Sequence, residues 1–414
     1  MGEISLMRIS VRQLLLAVFL TVMLLPTHFS NPAVSFLNNV LFLAAVAALV
    51  KNKYKPNQYI IAVGLFYADL IIMTAVYGHL TPNILVYNTK IIVLMAFIHF
   101  MYQKNQHSTL KIVTGIIVLF VLVDFATIII WPKGLYITTT VYSQWNSENI
   151  SNWLLGNKNN RIIWELSAIS LTKISCDRGI LKKRSLRFIM LIAVLAIVFT
   201  KSSTSIVAVT VLCGAVLFQK AVPLGRNSMK VFLIGYCVLT GLVMFGNAGF
   251  LAPIVEGMLG KDITFTGRAG TWRIVIAYIL QKPVFGWGYV GSEQAMKMIS
   301  KAAAVNAHSQ WLQALLQGGA VEFFILALLI ASAAKYFGKV CSESRLFYLG
   351  GLFSLLLVMI FEVVMGNLVL IFLFFMMESS KRESESLTAG AEEEKRRDEK
   401  SIDKRLLWTR KSWR

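Results

Sequence analysis

The chain has 414 residues, 56% of them hydrophobic and 15% charged, with a mean hydropathy of +0.65. That balance leaves too few polar residues to cover a soluble fold of this size, and long uncharged runs are the mark of transmembrane helices. The formal net charge of +20 would suggest nucleic acid in a soluble protein. Here most Lys and Arg fall between apolar runs and at the C-terminal end, so membrane topology accounts for them and no nucleic-acid partner is implied.

From the N-terminus, Arg8 and Arg12 precede the apolar run Leu14 to Leu25. No clear small-x-small cleavage site follows, so this reads as a retained first helix rather than a signal peptide. Further helices are expected at about 33–50, 59–77, 83–102, 110–131, 161–176, 185–199, 203–219, 228–247, 319–337, 345–363 and 365–377. Each is roughly the length a ~30 Å hydrocarbon core requires. The expected fold is all-α: a polytopic membrane protein of about 12 transmembrane helices with a long outward loop carrying short helices. Residues 1–378 form the membrane domain, with the outward loop at about 248–308, and residues 379–414 form a charged cytoplasmic tail.

The connections alternate between rich and poor in Lys and Arg, as the positive-inside rule requires. Lys51, Lys53 and Lys55 share a side with Lys104, with the cluster Lys173 to Arg187, with Lys220 and Lys230, and with Lys335 and Lys339. That side is read as cytoplasmic, with both termini inside. The opposite connections around His28, Gly78 to Pro82 and Val364 to Asn367 hold no Lys or Arg. Outward cations are therefore conspicuous: Lys133 and Lys158, Lys201 in a very short turn, and those of the long loop. Cations held on the side that disfavours them point to anion binding.

Cys213 and Cys237 fall in apolar spans, and Cys176 and Cys341 on the cytoplasmic side. Neither a disulfide framework nor a structural metal is implied. The tail from Ser379 alternates Glu, Lys and Arg with little to bury, so disorder is expected there; Trp408 and Trp413 among basic residues suit contact with anionic lipid. Inside the spans, Asp69, Lys90 and Asp124 lie seven or eight residues from the outer ends of successive helices. At a common depth they are expected to meet in one buried ion cluster, as a helix clamp or as a proton or substrate path.

The chemistry concentrates between Thr264 and Gly319. The run T-G-R-A-G-T-W-R offers Thr266 or Thr271 as a helix N-cap, with an apolar helix from Trp272 to Leu280 stopped by Lys282 and Pro283. Arg268 then lies at the helix start, where free amides and partial positive charge favour a phosphate or diphosphate; Arg273 follows one turn later. The alternative is an interfacial helix whose arginines touch lipid headgroups. Phe285-Gly286-Trp287-Gly288-Tyr289 forms a tight aromatic turn, with Trp287 suited to stacking on a sugar. His308 stands where the loop re-enters the membrane. Its ordinary pKa of about 6.5 suits proton acceptance from a hydroxyl; an interfacial hydrogen-bonding residue is the other reading. Glu256, Asp262 and Glu362 are outward carboxylates able to orient His308 or a sugar hydroxyl, and no D-x-D pair stands in the outward loops.

T-G-R, then P-x-x-G-x-G, then H-S-x-W-L-x-x-L-x-x-G-G resembles, in that order, the O-antigen ligase and polysaccharide repeat-unit polymerase family. The segment L-L-G-N-K-N-N, with Lys158, is similar to an outward G-N-K-N motif of polymerase-like members. The resemblance implies a bacterial inner-membrane, multi-pass glycosyltransferase of the C-type architecture. Such an enzyme takes a glycan from an undecaprenyl pyrophosphate donor on the outer leaflet and passes it to an acceptor glycan, building capsule, exopolysaccharide or O-antigen. It also implies catalytic positions at Arg268 and His308 and acquaintance with a flippase and a chain-length regulator. Where many members carry an Arg after the seventh span, this chain has T-K-S-S-T-S, with Lys201 as a point charge in place of a planar fork.

With arginines neutralising the diphosphate, the expected transfer is metal-independent, cofactor-free and inverting. Ligation onto a lipid A-core acceptor is the alternative within the family. From another class, a lipid-linked oligosaccharide flippase would share the span count and the intramembrane charges. A flippase needs its cations along a path through the core, whereas these cluster in one outward loop.

Overall fold

The computed structural model describes residues 10–143, 146–225, 227–244, 268–291 and 306–411. Among them are thirteen α-helices and one small sheet. The N-terminal series is α1 (Val11–Leu24), α2 (Pro32–Lys51), α3 (Gln58–Val76), α4 (Pro82–Lys104) and α5 (Gln106–Ile130). Each starts on a side-chain cap: Ser10, Asn31, Asn57, Thr81 and Asn105 accept from backbone amides of the first turn. Such caps satisfy amides that a membrane surface leaves bare.

Strands β1 (Tyr136–Ser143), β2 (Asn146–Trp153) and β3 (Gly156–Asn157) then pair antiparallel in that order. Helices follow as α6 (Ile162–Asp177), α7 (Lys183–Thr200), α8 (Ser203–Phe218), α9 (Ser228–Met244), α10 (Arg268–Gln281), α11 (Gln310–Ala334), α12 (Ser342–Phe361) and α13 (Asn367–Lys411).

Helices stand at all twelve expected positions, and the chain is an all-α polytopic membrane protein. Their lengths differ. Six helices among the described residues, α2 to α5, α11 and α12, are long and apolar enough to cross a membrane. The apolar helices α1, α8 and α9 have 14, 16 and 17 residues, less than the roughly 20 that a ~30 Å core asks of an upright helix. Helix α6 is short for another reason. Every residue from Ile162 to Ser175 is buried, so protein rather than lipid surrounds it, and Glu165 and Lys173 are tolerated on it. By contrast only Leu41 and Ala45 of α2 are buried, and Phe36, Leu43 and Val50 face outward as a lipid-contacting surface.

One segment outside the expected helices is a sheet, and one expectation gives way. After α5 the Thr-, Ile- and Tyr-bearing residues pair as an antiparallel β-ribbon. The tail, expected to be disordered from Ser379, is helical to Lys411 as a continuation of α13. Its Glu and Lys or Arg residues fall one helical turn apart, as at Lys381–Glu385 (4.0 Å), which supports helix despite the small apolar content.

The interior is stitched by small residues and by ions. Gly350 of α12 abuts Ala215 of α8, where a β-carbon would overlap the alanine, the close approach membrane helices favour. The expected Asp69–Lys90–Asp124 cluster does not form. Asp124 instead accepts from Arg161 Nε (2.5 Å) and from the Leu155 amide (2.8 Å), and Arg161 Nη2 donates to Glu165 (3.1 Å). Arg161, at the start of α6, reaches the Asp124 depth before Lys90 does, and its fork serves two carboxylates at once. Lys90 has no ion-pair partner among the described residues. Asp69 meets Glu322 of α11: oxygens of both converge on the space where a β-carbon of Gly318 would stand, and Asp69 Oδ2 and Glu322 Oε2 have no hydrogen-bond partner among the described residues.

Helix α11 is broken at Gly319, whose φ of 62° and ψ of −151° are non-helical. The expected start of this span, residue 319, falls on the break. The P-V-F-G-W-G turn after α10 replaces the lost helical hydrogen bonds. Trp287 and Gly288 donate to Leu316 O and Gln317 O (both 2.8 Å), and Ala320 and Val321 donate to Pro283 O and Val284 O (2.8 and 3.2 Å). A β-carbon at Gly319 would overlap the Val284 backbone. Gly319→Ala is therefore expected to destabilise by more than the ~1–3 kcal/mol of a strained backbone alone, read as a lowered thermal midpoint in detergent. An unchanged midpoint would show that the break is not required.

Candidate active site

Three segments far apart in sequence meet at one end of the bundle. Helix α10 begins at Arg268, and its buried face carries Trp272, Val275 and Ile279. Thr271, expected as a possible N-cap, lies inside this first turn and is buried; Thr266 is outside the described residues. The second segment is the turn Asn306–Ser309 ahead of α11, and the third is the bend after α12 that starts at Glu362.

Side chains tie these segments together. Trp272 Nε1 donates to Ala307 O (3.1 Å), and the Ala307 amide donates to Gln313 Oε1 (2.9 Å). The His308 amide donates to Asn306 Oδ1 (2.9 Å), which holds His308 in the left-handed region at φ 46°. Such a conformation costs about 1–3 kcal/mol in a non-glycine residue and persists where its surroundings over-determine it. Gln310 Oε1 accepts from the Val364 and Met365 amides (3.0 and 2.8 Å), fastening the third segment to the second.

Arg268 Nη2 donates to Glu362 Oε1 at 2.6 Å, and the guanidinium lies 5.8 Å from the Phe361 ring centroid. The side chains are 17% and 12% exposed, so the pair is reachable from outside yet little screened. Burial pushes the Glu362 carboxyl above the ordinary carboxylate range, against the pull of Arg268. His308 is pushed down to about 4, first by burial and then by the Arg268 charge. The geometry therefore presents a neutral imidazole beside a guanidinium that, among the described residues, spends one donor on Glu362.

The remaining expected residues lie elsewhere. Arg273 is on the exposed face of α10, away from Trp272 and the turn. Trp287 is half-buried: its Nε1 donates to Tyr278 O (3.0 Å), and the Lys282 ammonium sits 3.9 Å from its ring and 3.6 Å from that of Tyr77. That cation covers one face of the Trp287 ring. Lys158 and Lys201 form a second, exposed group, because the loop of one docks on the turn of the other. Ser202 donates to Asn159 Oδ1 (3.2 Å) and Ser205 to Lys158 O (3.5 Å). No hydrogen bond or ion pair among the described residues links this group to Arg268. Glu256 and Asp262 lie outside the described residues. Arg161 was missed in the sequence. The signal was Asp124 itself, a carboxylate deep in an apolar helix that demands a cation.

The family described as O-antigen ligase matches residues 188–327. The match runs from α7 into α11 and takes in Lys201, Arg268, Arg273, Trp287 and His308. Exopolysaccharide production protein ExoQ of Rhizobium meliloti (strain 1021) is 27% identical over 171 residues, covering 37% of this chain and 39% of that protein. The chain thus aligns with well under two thirds of this relative's length. Over these residues the chain is similar to the O-antigen ligase family and to the exopolysaccharide protein, in line with the resemblance carried by the loop motifs.

Proposed function

We propose that the chain transfers or polymerises undecaprenyl-pyrophosphate-linked oligosaccharide repeat units at the outer leaflet of the bacterial cytoplasmic membrane, building a surface polysaccharide. The observation that carries this reading is the meeting of Arg268, His308 and Glu362 from three separate segments. Arg268 holds the donor diphosphate through its free donors, and Glu362 fixes the guanidinium plane. His308 takes the proton from the acceptor hydroxyl. The acceptor oxygen bonds to the anomeric carbon as the carbon–oxygen bond to the diphosphate breaks, and the electron pair leaves on the diphosphate beside Arg268. In-line attack inverts the configuration.

The name of the exopolysaccharide relative favours polymerisation, and the family description favours ligation onto a lipid A-core acceptor; the two differ in acceptor alone. Purified protein in lipid, given labelled undecaprenyl-pyrophosphate oligosaccharide, is expected to extend the glycan. Translocation of the donor without a new glycosidic bond would instead make it a flippase. Because Arg268 supplies the charge facing the diphosphate, transfer is expected to persist in excess chelator; loss restored by Mg²⁺ or Mn²⁺ would overturn the arginine clamp.

The proposed orientation puts both termini in the cytoplasm and the loop of about 248–308 outside. Cysteines placed at Ser292 and Gly260, both outside the described residues, are expected to react with an impermeant thiol reagent in intact cells. Reaction only after lysis would invert the map.

A further inference from the structure

Helix α12 ends at the Arg268–Glu362 pair; its other end, 20 residues away, borders a cavity of about 730 Å³. Six cations border the cavity: Lys173, Arg178, Lys183, Arg187, Lys220 and Arg382. Against them stand the carboxylates of Asp177, Glu343 and Glu383. Lys173 is already bound to Asp177 (2.5 Å), and Glu383 accepts from the Cys341 amide (3.2 Å) and the Tyr348 hydroxyl (3.4 Å). Lys183, Arg187 and Lys220 have no ion-pair partner among the described residues, and Arg178 Nη1 is buried without a hydrogen-bond partner.

A buried guanidinium nitrogen without a partner is costly, and a cavity with surplus positive charge invites an anion. The rest of the wall says which kind. Leu186, Met190, Val216 and Leu217 complete it, and Leu217 is 62% exposed beside Phe218, on the apolar outer surface of α8. Cations at the head and aliphatic residues leading to the lipid-facing surface match an amphiphile. A free phosphate would satisfy the cations and leave the aliphatic wall bare.

We propose that this cavity binds the phosphate headgroup of an anionic membrane phospholipid, with an acyl chain along Leu186, Met190, Val216 and Leu217. The site lies at the end of the bundle opposite the proposed chemistry and does not depend on it. The shared chemistry, a phosphate oxyanion, has two sources, lipid and solution, and the test separates them.

Full-length protein is placed in bilayer discs of phosphatidylcholine with or without phosphatidylglycerol, and lipid retained after release is counted by native mass spectrometry. The wild type is expected to retain phosphatidylglycerol in preference to phosphatidylcholine. Lys183→Gln with Arg187→Gln and Lys220→Gln is expected to weaken that retention on the order of 100-fold, at about a factor of five per cation. Retention of both lipids alike by the wild type would overturn the proposal even if the triple variant failed to fold. Undiminished preference in a folded triple variant would overturn it equally. Inorganic pyrophosphate is expected to leave the bound lipid in place; its displacement at millimolar pyrophosphate would assign the site to a soluble phosphate and overturn the lipid assignment.

Discussion

Arg268→Ala is expected to lower kcat/KM by 100-fold or more, and Arg268→Lys to retain part of the activity. One donor of the guanidinium is committed to Glu362 at 2.6 Å, and the group lies over Phe361, so its plane is fixed before any ligand arrives. In the proposed reaction the remaining N–H groups are expected to meet the diphosphate as charge-assisted hydrogen bonds, each worth roughly 1.5–3 kcal/mol. Two such bonds correspond to about 10²–10⁴ in transition-state affinity. An ammonium restores the charge but cannot hold Glu362 and clamp two oxygens in one plane. The measurement is transfer rate against donor concentration in lipid-reconstituted protein, with circular dichroism to confirm folding. Equal activity of the Ala variant and the wild type would return Arg268 to the role of an interfacial, headgroup-touching arginine.

The helix positions were legible because hydropathy and capping speak locally: Asn31, Asn57, Thr81 and Asn105 sit where the apolar runs begin, and all cap. The surroundings of each helix were less so. Residues 161–176 read as an apolar run, and nothing in the run states that protein rather than lipid surrounds the helix. Of the site, Arg268 and His308 were legible from motif order. Glu362 was one carboxylate among three, since its pairing joins residues 94 apart and spacing holds no information at that range. Depth alone mispaired Asp124 with Lys90, because the rotation of each helix decides which cation faces it; Arg161 does. The placing of Lys282 on one face of the Trp287 ring was likewise not legible from spacing.

His308 carries the heaviest claim. Buried and beside Arg268, its imidazole is pushed down to about 4, so in the ligand-free protein it is neutral, the form a general base needs, at every pH above that value. Activity is therefore expected to fall as pH drops through the pKa, with the acid limb of kcat/KM near pH 4. A bound diphosphate offsets the Arg268 charge and lets the imidazole pKa rise. The acid limb of kcat is accordingly expected at higher pH, toward the ordinary value of about 6.5.

The most direct test pairs donor binding with turnover in His308→Ala, in purified protein returned to lipid and shown to be folded. The imidazole is asked only to take a proton from the acceptor. Donor affinity is therefore expected to match the wild type while turnover falls by about 10²–10⁴-fold. Near-normal turnover in a variant that binds donor normally would contradict the account, leave His308 an interfacial hydrogen-bonding residue, and move the search for the base to Glu362, Glu256 and Asp262.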